Sequence, residues 1–236
     1  MEQLTREFCA ENLELVPEAL QAGANRIELC DNLAVGGTSP SYGVIRAAVG
    51  IAREHGAGVM AMCRPRGADF FYRGPDREAI VDDVRCARSL GVTGVVFGCL
   101  QADGHGCAAL DDELVSQLVG EAKDSVGEGI ARGTKPVQVT FHMAFDELSG
   151  ANQFDAIDTL AELGVERILT HGGPSGTAIE QNLAHLADLV AYAAGRVVIM
   201  PGGGVTWQNA QDVADRLGVT EVHGTKVVRL PLCYDS

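Results

Sequence analysis

The residues of this sequence best able to do chemistry sit at alternate positions in short apolar runs. In PVQVTFH one set is Val137, Val139 and Phe141, which leaves Gln138, Thr140 and His142 together on the opposite side. Successive side chains of a strand point to opposite faces, so in a closed sheet one set packs outward and the other fills the interior. RIELC then turns Ile27 and Leu29 outward and Glu28 and Cys30 inward. REFCAE groups Glu7, Cys9 and Glu11, EVHGT groups Glu221, His223 and Thr225, and GVMAMCR offers Met60, Met62 and Arg64. Glu28 and His142 are acid–base types that burial and neighbours tune toward neutrality. Arg64-Pro65-Arg66-Gly67 sets two guanidinium groups beside a rigid turn, suited to clamping a carboxylate or phosphate. Pro201-Gly202-Gly203-Gly204 before Thr206, an expected helix cap, and Gly224-Thr225-Lys226 offer backbone N–H groups and one ammonium to an anion near Gly203, Gly204 and Lys226. Each feature also has a plainer reading. Inward Glu and Arg form ion pairs that hold strand ends together, Arg66 pairs with local acids, and the glycines make a tight turn. His171 directly follows a strand and is a further candidate, whereas His55, His105 and His185 fall in helices or surface turns.

Eight β-like runs must position these groups: REFCA, RIELC, GVMAMCR, GVVFGCL, PVQVTFH, RILTHG, RVVIMPG and EVHGTKV. They alternate with helical patterns over Asn12–Ala22, Ser41–Glu54, Asp76–Leu90, Asp111–Lys123, Gln153–Leu163 and Ala178–Ala193. Alternation of this kind argues for a parallel sheet, and eight units predict a closed (β/α)8, or TIM, barrel in one domain over residues 1–236. Gly23, Gly91, Gly164 and Gly218 each follow a helical stretch, where a residue at positive φ ends the helix. Gly120–Gly133 reads as a loop. Only RLPLCYDS follows the last run, so the eighth helix is expected to be short or missing, and a second copy of the chain is expected to cover the bare flank as a homodimer or higher oligomer.

Composition narrows the partners. Eighteen Lys and Arg face 32 Asp and Glu, a formal charge of −14, which repels nucleic acid and anionic membranes. The first residues lack a basic and apolar leader and no apolar run is long enough to span a bilayer, so a cytoplasmic location is expected. Seven scattered cysteines, with no CxxC, exclude a disulfide framework and a local zinc motif.

Glu28-Leu29-Cys30, Gly36-Gly37-Thr38-Ser39-Pro40-Ser41, Arg64-Pro65-Arg66-Gly67, Thr140 through Asp146 (TFHMAFD), Leu169-Thr170-His171-Gly172 and Pro201-Gly202-Gly203-Gly204 resemble the motifs of the CutC family, in order and almost end to end. The resemblance implies a cytoplasmic TIM-type barrel, often oligomeric, linked by name to copper tolerance. It also implies that the family's proposed Cu(I) ligands on the first two strands fall on Cys9 and Cys30, with Met60 and Met62 as soft neighbours, and that Cys86, Cys107 and Cys233 are dispensable. Cys63 departs from the aliphatic residue usual before Arg-Pro-Arg.

Two functions follow. In one, Cys9 and Cys30 capture copper as Cu(I) and the barrel is their scaffold. In the other, the chain is an enzyme acting on a small anionic metabolite. Glu28, Arg64 and His142 are then catalytic, and Arg66, Asp146, Gly203, Gly204 and Lys226 bind substrate. Buried cysteines that merely pack remain the alternative to the first, and a barrel kept only as an interaction scaffold is a third reading.

Overall fold

The computed structural model describes residues 3–123, 135–174 and 176–231. In chain order the strands are β1 (Thr5–Glu11), β2 (Arg26–Cys30), β3 (Gly58–Met62), β4 (Gly94–Phe97), β5 (Leu100–Ala102), β6 (Ala108–Leu110), β7 (Gln138–Phe141), β8 (Arg167–Thr170), β9 (Val198–Pro201) and β10 (Glu221–Gly224). Eight of them form one parallel sheet in the order β10-β1-β2-β3-β4-β7-β8-β9, while β5 and β6 make a separate antiparallel hairpin. The helices are α1 (Val16–Gln21), α2 (Tyr42–Glu54), α3 (Pro75–Ser89), α4 (Asp112–Lys123), α5 (Gly150–Glu162), α6 (Ile179–Ala193) and α7 (Ala210–Leu217). This is a nearly closed (β/α) barrel. None of its helices is long and apolar enough to cross a membrane.

Side-chain alternation builds two cores. Outward residues such as Phe8, Ile27, Leu29, Val59, Val95, Phe141 and Ile168 join the helices in one large apolar cluster. Each fully buried side chain of that size contributes about 1.5–3 kcal/mol. The helices meet it with stripes at spacings of three and four, as Ile45, Ala48 and Ala52 do on α2, whose start Ser41 caps by accepting a hydrogen bond from the Val44 N–H at 3.4 Å. Inward residues Cys9, Cys30, Met60, Met62 and Val96 form a second, smaller cluster.

Several sequence expectations need correction. The first helix begins at Val16 and not Asn12, because Asn12 takes a left-handed φ of 54° as the chain leaves β1. Gly120 lies inside α4, and the rest of the expected Gly120–Gly133 loop from residue 124 onward lies outside the described residues. The run GVVFGCL is split at Gly98, beyond which the chain turns away into the β5–β6 hairpin. Thr206 is not the cap of α7; its carbonyl anchors a preceding turn and the helix starts after Asn209. The four helix-ending glycines do take positive φ, from 68° at Gly218 to 100° at Gly23.

No ladder joins β9 to β10 among the described residues. Charged groups knit that seam from inside. Glu221 on β10 accepts from Arg167 on β8 at 2.5 Å and from Arg26 on β2 at 2.5 Å, and Arg26 also pairs with Glu7 on β1. After β10 the described chain to Pro231 forms no helix, and a hollow of about 350 Å3 opens between α1 and Arg229-Leu230-Pro231.

Candidate metal and ligand site

Register decides which inward groups meet. Cys9 stands beside Glu28, and Cys30 beside Glu11, so the two cysteines are diagonal neighbours offset by two residues. His223 stands beside Glu7 across the β1–β10 ladder. The result is a buried cluster in which one ligand atom each from Cys9, Glu28 and Cys30 lies within 4.8 Å of the others, as do those of Glu7, Glu28 and His223.

The cluster is electrostatically ordered. His223 bonds Glu7 Oε1 through Nδ1 at 2.9 Å and faces Glu28 Oε2 through Nε2 at 3.7 Å. Burial disfavours its charge, but Glu28, Cys9 and Glu7 outweigh burial and hold it well above the ordinary histidine value. Glu7 is pushed up by burial and pulled down further by Arg26 and His223, reaching about 2. Burial drives Glu28 well above the carboxylate range, with His223 opposing and Cys9 and Glu7 adding to the rise. The Cys30 thiol lowers Cys9 well below the usual thiol value against burial, aided by His223, and Cys30 itself is raised by that same pairing, by burial and by Glu28. Within the cluster the shifts oppose one another: the charged form is favoured at Cys9 and His223 and the protonated form at Cys30 and Glu28.

This donor set fits a soft ion. A two-coordinate ion at a metal–sulfur length of roughly 2.3 Å needs its sulfurs about 4.6 Å apart, and the cysteine sulfurs lie within 4.8 Å. Met60 and Met62 pack against them. The diagonal offset works against a disulfide: strands about 4.8 Å apart and a two-residue rise of about 6.6 Å put the Cα atoms about 8 Å apart, beyond bridging range.

The other sequence candidates gather elsewhere. Arg64, 3% exposed, donates to the carbonyls of Val35, Gly37 and Ala68 at 2.9 Å each and lies 4.8 Å from the Phe70 ring, which also neighbours His142 at 5.0 Å. His142 Nδ1 accepts from the Ala144 N–H at 3.1 Å, which places the proton of the neutral ring on Nε2, where it has no partner. Burial, then the Arg64 charge, pushes His142 down to about 3. Gly98 makes room for this ring, since a Cβ there would lie 2.5 Å from it. The structure thus groups Glu28 with His223 and groups Arg64 with His142.

Asp146 accepts from Thr170 Oγ1 at 2.5 Å and from the His171 N–H at 3.0 Å. Arg66 pairs with Asp69 and Asp76 and donates to the carbonyls of Gly67, Asp69 and Phe71, so it ties its own loop together. Gly203 and Gly204 take φ of 68° and 87°, and a Cβ on Gly203 would strike the His171 ring at 2.5 Å; their positions are accounted for by packing. Lys226 is exposed beside Thr206, to which it is bridged in parallel. His185, on α6 and expected to be solvated, is half-buried and bonds Gln153 Oε1 at 2.8 Å. Cys86 lies on α3 and Cys107 is exposed next to β6, while Cys233 lies outside the described residues.

Arg26 and Arg167 went unremarked in the sequence. Arg26 shares the inward parity of Glu28 and Cys30, which was the available signal; a cation at a strand start reads more simply as solvated.

Residues 4–228 match the model of the CutC family. A CutC protein of Enterococcus faecalis is 52% identical over 95% of this chain and all of its own length, and the human copper homeostasis protein cutC homolog is 40% identical over 92% of this chain and 71% of its own. The crystal structure of a Streptococcus agalactiae CutC superposes with a TM-score of 0.85 at 39% identity, covering 96% of this chain and all of that one. An aldolase, QR15, shares the fold with a TM-score of 0.65 at 16% identity. Motif order, barrel architecture and end-to-end identity agree, and the chain belongs to the CutC family.

Proposed function

We propose that this chain takes up Cu(I) on Cys9 and Cys30 inside the barrel, as part of copper homeostasis in the cytoplasm. The observation that carries the reading is the pair of buried cysteine sulfurs within 4.8 Å of each other and packed among methionines. Thiolates and thioethers select soft monovalent copper over the harder cations that Glu28 and His223 alone would attract. The thiolate is the binding form, favoured at Cys9 and disfavoured at Cys30, so uptake should release protons and weaken as pH falls. Free cysteines, six among the described residues, suit a reducing compartment. The names of the mammalian relatives point to the same process. We extend the reading to assembly as a homodimer or higher oligomer, in which a second copy covers the hollow beside α1 where an eighth helix would lie.

The experiment is an anaerobic titration of the reduced protein with Cu(I) against a chromophoric Cu(I) chelator. One ion per chain is expected in the parent and none held above background in the Cys9→Ser, Cys30→Ser variant, with the variant's circular dichroism unchanged. Equal uptake by both proteins would overturn the assignment.

A further inference from the structure

At the C-terminal mouth of the barrel lies a cleft of about 630 Å3, a size typical of small-molecule sites. Arg64, Phe70, Asp146, Gln153, His171 and His185 contribute to its lining, and none of them belongs to the thiol cluster. They come from the segments that follow β3, β7 and β8 and from α5 and α6, the end of the barrel at which this fold places its ligands.

Arg64 is the feature that demands explanation. Its guanidinium is nearly desolvated, yet among the described residues no carboxylate lies within ion-pair distance of it, and its Nε–H has no acceptor. Arg26 and Arg167, buried to a similar degree, each meet a carboxylate. Carbonyl dipoles and the Phe70 face hold the Arg64 group in place without neutralising it, and a buried charge without a counter-charge is costly. His142, whose ring also neighbours Phe70, supplies no anion. Elsewhere in the lining Asp146 is fixed by Thr170 and the His171 backbone, with His171 Nδ1 3.9 Å from its Oδ2. Gln153 Nε2 donates to the Phe145 carbonyl, so its Oε1 faces His185, whose Nε2 must then carry the proton and leave Nδ1 as an acceptor.

We propose that this cleft is a binding site for a small organic anion, whose carboxylate or phosphate supplies the missing counter-charge to Arg64 and whose hydroxyl groups donate to Asp146 and to His185 Nδ1, with His171 beside them. The site is separate from the proposed copper ligands, so the same chain would carry a metabolite site as well as a thiol pair. Arg66, Gly203, Gly204 and Lys226 are not part of it.

The test uses 15N-labelled full-length protein, titrated at constant ionic strength with orthophosphate in one arm and malonate in the other. Binding is followed by calorimetry and by the arginine Nε–H and backbone resonances. Saturable binding in at least one arm is expected, shifting Arg64 Nε–H together with the Asp146 and His171 amides, and the stronger arm names the ligand class. Arg64→Met should weaken that binding roughly tenfold or more. Because Arg64 also holds two loops, Arg64→Lys is measured beside it, and if neither variant folds, the parent's own Arg64 Nε–H shift decides. No saturation with either anion would overturn the proposal. So would saturation that moves the Gly203 and Gly204 amides and leaves Arg64 still, or binding unchanged in a folded Arg64→Met.

Discussion

Replacing Arg26 with Met removes the cation that lies between Glu7 and Glu221, and that also contacts the Met200 sulfur, while keeping most of the apolar stem. Glu7 is wholly buried, and its carboxyl sits at about 2 in place of the ordinary 4.5, because Arg26 and then His223 outweigh the burial that pushes it up. That displacement is worth about 3 kcal/mol. Deleting one partner of a buried pair also strands the other, so the loss should reach about 3–5 kcal/mol. For a chain of this length that lowers the melting temperature by on the order of 10 °C. The assay is thermal unfolding at pH 7 of the parent, Arg26→Met, and Arg26→Met with Glu7→Gln. The double variant should melt above the single one, since it no longer buries an uncompensated charge. The pH dependence has a definite sign. Glu7 is depressed in the fold, so its contribution is complete above pH 4.5 and is lost as pH falls toward 2; the gap between parent and single variant should close through that window. A single variant that melts within about 2 °C of the parent, or a double variant less stable than the single, would refute the reasoning.

Three further outcomes are expected. His142 stays neutral in the fold down to about pH 3, while in the unfolded chain it takes a proton near 6.5, so acidification from 6.5 toward 3 should cost the parent about 1.4 kcal/mol per pH unit more than His142→Asn, measured by urea unfolding. Parallel pH curves for the two proteins would contradict this. Treating the metal-free protein with diamide should leave Cys9 and Cys30 alkylatable after unfolding, because their diagonal register holds the Cα atoms too far apart; a Cys9–Cys30 disulfide in the peptide map would show that reading of the register to be wrong. Light scattering should give at least twice the 24.8 kDa chain mass at micromolar protein, and a monomer mass would count against assembly through the α1 flank.

The barrel was legible because alternation is a local signal. Ile27 and Leu29 pack outward while Glu28 and Cys30 point inward, as counting along RIELC requires. What counting cannot supply is register between strands. Parity puts Glu28, Arg64, His142 and His223 inside the barrel but says nothing of height or of which pairs touch. Glu28 meets His223 because β10 lies beside β1 and β1 beside β2. Arg64 sits beyond the end of β3, where loop carbonyls capture it. For Arg66 the sequence leaves open a ligand clamp beside the Pro65 turn and pairing with local acids, and Asp69 and Asp76 occupy it. The Arg26 and Arg167 contacts to Glu221 bridge separations of 195 and 54 residues and form only when the sheet curls round on itself.

If copper is held by two sulfurs, one from β1 and one from β2, X-ray absorption at the copper edge will read them on anaerobically loaded protein with one Cu(I) per chain. The account predicts a first shell of sulfur scatterers in the parent and its loss in Cys9→Ser, Cys30→Ser. A shell of nitrogen or oxygen alone in the parent, or a sulfur shell that survives in the double variant, would contradict it.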